Sequence, residues 1–136
     1  MTPMEDCPVG QDVLIRIGDC RQLLQEELER LYTEERIPQT DVVVLGGHSL
    51  QNTSVGEDSQ LGKYRIIEQP VHLNSKEVPY YTYMKFKGCE AKIVILLDVD
   101  DKDPRWNKNG MYTAMSRATH QLIILRPEDS IPACRA

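Results

Sequence analysis

Three stretches of this chain are apolar without interruption: residues 42–45 in DVVVLGG, 93–97 in KIVILLDVD and 122–125 in LIILR. A strand with one wet face alternates apolar and polar side chains, whereas a strand buried on both faces does not. Three such strands need a sheet covered on both sides, and a parallel sheet with helices packed on it provides that cover. The intervening sequence can supply the helices. Leu24, Leu28 and Leu31 fall at i, i+4 and i+7 and form one apolar stripe, with Glu26, Glu27, Glu29 and Arg30 elsewhere around the helix. Asp19 is placed to cap it, Gln22 three residues on suggests a capping box, and Pro38 closes the segment. VLIRIG (13–18), YRIIEQ (64–69) and VPYYTYMKF (78–86) read as further strands, and residues 111–120 as a second helix. The expectation is an α/β domain: a mainly parallel sheet flanked by helices. It spans residues 13–127, with a loose lead-in at 1–12 and a tail at 128–136.

Composition narrows the function classes. The net charge of −5 gives no general attraction to nucleic acid, so a local patch or another domain would have to hold such a partner. The longest apolar run is too short to cross a bilayer, so no membrane association is expected. The first residues, MTPMEDCPVGQD, lack the pattern of a secretory signal. Cys7, Cys20, Cys89 and Cys134 form no CxxC pair. That argues against a zinc site or disulfide framework and for an intracellular, cytoplasmic setting. His48, His72 and His120 are isolated and read as surface or hydrogen-bonded side chains.

Two segments imitate nucleotide sites. GEDSQLGKY, residues 56–64, resembles a phosphate-binding P-loop, but five residues separate Gly56 from Gly62 where the motif has four. Tyr64 stands where a hydroxyl should hold Mg²⁺, and a strand-like run follows instead of a helix. VILLDVDDKD, residues 94–103, ends an apolar strand in Asp98, Asp100, Asp101 and Asp103, yet its spacing does not fit a calcium loop. Both read as surface loops, the second as solvated carboxylates, and no metal site is expected.

The chemistry lies in TYMKFKGCEAKIVIL (82–96) and MYTAMSRATHQLIIL (111–125). In order and spacing they resemble motifs V and VI of the C-terminal RecA-like domain of superfamily 1 helicases, the UvrD/Rep-type group. Motif V matches at Thr82, Lys87, Gly88 and Glu90, and departs at Met84, where the family usually has His, and at Cys89, usually Leu. Motif VI matches at Tyr112, Ala114, Met115, Ser116, Arg117 and Ala118.

The resemblance implies a RecA-like P-loop-NTPase fold that lacks its own P-loop. It makes Arg117 an arginine finger, the catalytic residue, reaching across a cleft to charge that develops on a transferring phosphoryl group. Gly88 and Glu90 would join Arg117 in nucleotide binding, Gly88 by admitting the backbone close to phosphates and Glu90 by accepting from the ribose. Thr82, Lys85 and Lys87 would contact single-stranded nucleic acid, DNA by family, through its phosphates. ATP and Mg²⁺ would be bound only in a full-length protein, where an N-terminal RecA-like domain supplies the P-loop. The function implied is the C-terminal ATPase half-domain of an ATP-dependent DNA helicase, inactive alone. The alternatives are a catalytically silent RecA-like module for nucleic-acid or protein binding, and a self-sufficient P-loop NTPase. Arg117, Gly88 and Glu90 are expected to converge where the parallel strands end.

Overall fold

A computed structural model describes residues 12–38, 41–56, 60–68, 76–86, 89–100 and 103–127. Its elements are β1 (Asp12–Gly18), α1 (Cys20–Glu29) continued by a π turn (Arg30–Glu34), β2 (Val42–Gly46), β3 (Gln60–Leu61), β4 (Tyr64–Glu68), β5 (Glu77–Thr82), β6 (Ala91–Leu96), α2 (Lys108–Met115) and β7 (Ala118–Pro127). The strands form one sheet in the order β1-β7-β6-β2-β5-β4-β3. Every neighbouring pair is parallel except the β3–β4 hairpin. The three uninterrupted apolar runs lie in β2, β6 and β7 or just beyond, and each of these strands is flanked by two others. Their residues are at most 5% exposed.

Alternation along these strands feeds two cores, one on each face. Val42, Val44, Ile93, Ile95, Ile123 and Leu125 pack toward α1, whereas Val43, Leu45, Val94, Leu96, Leu122 and Ile124 pack toward α2. The α1 stripe behaves as its spacing demands: Leu24, Leu28 and Leu31 are fully buried. Each contributes about 1.5–3 kcal/mol by leaving water. Asp19 caps α1 by accepting from the Arg21 N–H at 3.2 Å. The capping box does not form, because the Gln22 amide turns along the helix to Glu26 at 3.1 Å. Glu27 also departs from the polar-face reading and is 3% exposed. The Arg16 guanidinium on β1 donates to it at 2.8 Å and Arg30 at 2.5 Å, so the carboxylate is buried as the centre of an ion network.

Three boundaries differ from the sequence expectation. The strand read through residue 86 stops at Thr82, because the Thr82 carbonyl accepts from the N–H groups of both Lys85 and Phe86 and starts a turn. The helix read as 111–120 runs Lys108–Met115. It starts early because the Asn107 side chain accepts from the Gly110 N–H at 2.8 Å. It stops early because the Ser116 hydroxyl bonds back to the Thr113 carbonyl at 2.8 Å. The P-loop-like stretch holds an antiparallel hairpin, with Gly62 and Lys63 as the turn between β3 and β4. Gly62 has φ of 62°, the positive value a tight hairpin asks of its first turn residue. No helix follows it, so the self-sufficient P-loop reading has no cradle to stand on among the described residues.

Candidate functional site

Ala91 of β6 pairs with Ala118 of β7, and Glu90 and Arg117 immediately precede them. Both therefore stand at the N-terminal ends of neighbouring parallel strands, tied by the Ala91 N–H donating to the Arg117 carbonyl at 3.0 Å. The Arg117 side chain lies over the C-terminal end of α2. Its Nε donates to the Thr113 carbonyl at 3.1 Å and Nη1 makes a longer contact to the Cys89 carbonyl at 3.4 Å. A cation is favoured there by the helix dipole and by carbonyls that lack helical partners. Among the described residues no carboxylate forms an ion pair with Arg117. Among the described residues its charge is held by main-chain oxygens, beside an exposed Glu90.

The edge differs from the one expected. Convergence was anticipated at the C-terminal ends of the strands, with Arg117 on a helix reaching back. The helix ends at Met115, and the turn through Ser116 delivers Arg117 to the start of β7 instead. Gly88 and Lys87 lie outside the described residues, so Arg117 and Glu90 are the part of the expected nucleotide set whose geometry is on view.

Thr82 and Lys85 stand at the opposite edge. Thr82 closes β5, and with Met84 and Lys85 it lines a cavity of about 550 Å³ beyond the C-terminal ends of β2 and β5. The remaining walls bring in His48, Asn52, Glu68 and Arg105, none of which the sequence assigned to a site. The one signal in the sequence is GGHS, directly after a doubly buried strand, which points to His48 alone, since ligand crevices in such sheets open there. His48 is held from two sides: its Nε2 lies 2.6 Å from Asp103 Oδ2, and its carbonyl accepts from the buried Tyr80 hydroxyl at 2.5 Å. Glu68 is tied to the Leu50 N–H at 3.2 Å. The cavity thus offers the cations Lys85 and Arg105 together with hydroxyl, amide and one tethered carboxylate.

The carboxylates after β6 are not simply solvated. Asp98, at φ of 58°, accepts from the Ser54 N–H at 2.6 Å, and Asp103 accepts from the Arg105 N–H at 2.9 Å as well as meeting His48. They brace the loops at this edge. Among the described residues no group of three metal-ligating side chains occurs.

A sheet of this order, mostly parallel and with a core on each face, defines an α/β domain. Residues 81–125, the stretch that carries both motifs, match the model of the UvrD-like helicase C-terminal domain. The fold is similar to the crystal structure of the C-terminal domain of a possible DNA helicase from Lactobacillus plantarum WCFS1. The two share 17% identity and a TM-score of 0.60, over 88% of this chain and 74% of that one. No curated protein sequence matches. Among the described residues no helix is long and apolar enough to cross a membrane.

Proposed function

We propose that this chain is the C-terminal ATPase half-domain of an ATP-dependent superfamily 1 DNA helicase. The observation that carries the reading is Arg117 beside Glu90 at one edge, its guanidinium uncompensated by any described carboxylate. In this reading a first RecA-like domain brings the P-loop and Mg²⁺, and Arg117 enters from across the cleft. The guanidinium fits the role because it stays charged and offers a fork of donors, of which only Nε is closely engaged. Glu90 takes the ribose, and Gly88 completes the nucleotide contacts. Thr82 and Lys85 meet the phosphates of a single strand at the far edge, where Arg105 adds a further cation, and Lys87 joins them in that contact.

The test joins this domain to a P-loop domain in one protein. Arg117→Ala should cut ATP turnover roughly a thousand-fold, the scale of an arginine finger. ATP binding should change little, because the group acts on charge that develops in the transition state. Arg117→Lys should rescue poorly. The seat of Nε on the Thr113 carbonyl favours one other reading, a silent module in which Arg117 only caps α2. Wild-type turnover in Arg117→Ala would decide for it.

A further inference from the structure

Two cavities share a wall at Met84. One is the crevice of about 550 Å³ that Thr82, Lys85 and Arg105 line beyond β2 and β5. The other, of about 330 Å³, lies between the turn after β5 and the start of α2. It is lined by Tyr83, Met84, Asn107, Asn109, Gly110 and Thr113. The Tyr83 hydroxyl donates to the Arg105 carbonyl and so fixes the two walls to each other. Met84 stands between the cavities and is 61% exposed.

The cavities differ in charge. The first holds the cations Lys85 and Arg105, whereas no charged side chain lines the second. Asn107 gives its oxygen to the Gly110 N–H at 2.8 Å, so that helix-end donor is not offered to an anion. The second cavity presents instead the NH₂ group of Asn107, the amide of Asn109, which can both donate and accept, and the Thr113 hydroxyl. A nucleotide divides in the same way, into an anionic phosphate and a neutral, planar base joined through a sugar. The phosphate suits the cations. The base suits an uncharged cavity with amides at its wall, and its face suits a thioether, which packs favourably on aromatic rings. An exposed methionine between two polar cavities is thereby given something to cover it.

We infer that the second cavity is a base subsite for the strand whose phosphates meet Lys85 and Arg105. Met84 is the surface on which the base rests, and Asn107 and Asn109 meet its edge. The inference rests on the proposed strand contact at Thr82 and Lys85 and adds a base contact to it. Because the Asn109 amide can donate or accept, the subsite takes any base and reads no sequence.

A ¹⁵N-resolved NMR titration of the full chain at low ionic strength tests it with two probes. One is a thymidine hexanucleotide, the other a hexanucleotide of abasic sites with the same phosphates. The thymidine strand should bind at least about threefold more tightly and should shift the Asn109 and Thr113 signals, which the abasic strand leaves in place. Met84→Ala and Asn109→Ala should each remove that advantage. Met84→Phe should enlarge it, since bases stack well on an aromatic ring. Lys85→Ala should weaken both probes alike, because a phosphate contact is blind to the base. Met84 and Asn109 are exposed, so these substitutions disturb no core. Equal binding of the two probes, with shifts confined to Thr82, Lys85 and Arg105, would overturn the base subsite and leave the phosphate contact standing. A thymidine advantage untouched by Met84→Ala and Asn109→Ala would also overturn it, by placing the base elsewhere. Binding of neither probe would overturn the subsite and the strand contact together.

Discussion

Gly46 has no room for a side chain. A Cβ there would overlap the Tyr80 hydroxyl and come within 2.8 Å of its Cζ, and Tyr80 is fully buried. Gly46→Ala should therefore cost about 3 kcal/mol in denaturant unfolding, the upper range for overpacking. It should also loosen the His48 loop, whose carbonyl the Tyr80 hydroxyl holds. Tyr80→Phe alone separates the two effects: it leaves Gly46 unclashed but the loop untied. Cysteine reactivity gives a second residue-scale expectation. Burial pushes the Cys20 thiol up to about 12, with Asp98 beside it adding to the shift, whereas Cys89 is exposed. Iodoacetamide at pH 8 should label Cys89 within minutes and spare Cys20 until the protein unfolds, as peptide mapping would read. At this scale the sequence was informative about residue type and motif but not about place. Arg117 stood out among small residues, yet its position depends on where α2 stops. That is decided by one hydroxyl, Ser116, bonding back to Thr113. His48, Asn52, Glu68 and Arg105 come from separate loops and one strand end, and only the folded sheet brings them to one cavity.

Elements whose signal is periodic were readable, and those set by a single bond were not. The doubly buried strands and the Leu24–Leu28–Leu31 stripe follow from burial alone, which is a property of many residues at once. β3 is two residues long and exists because Gly62 can turn, so no period announces it. Glu27 was unreadable for a similar reason: its partners Arg16 and Arg30 lie on β1 and on the π turn. Glu27→Ala should destabilise by about 3 kcal/mol, because it leaves two guanidinium groups facing a part-buried gap. Glu27→Leu should recover much of that loss if the network serves stability alone, a contrast that chemical denaturation would resolve. Leu28→Ala, which empties a fully buried site in the α1 core, should cost about 2–5 kcal/mol.

As a whole molecule the domain is one sheet with a core on each face and polar groups at both ends of its strands. This chain by itself should show no ATPase activity and no micromolar ATP affinity in calorimetry, since its Gly62–Lys63 turn joins two strands instead of opening a helix. Micromolar binding abolished by Lys63→Ala would sink that expectation. The separation of the two edges has a mechanical consequence. Glu90 and Arg117 stand where β6 and β7 begin, and Thr82 stands where β5 ends. A six-residue strand makes the distance between those edges about 20 Å. On the proposed function, a tilt of the sheet at Arg117 would be read as a displacement at Thr82, so nucleotide closure and strand contact would be coupled through the length of the strands.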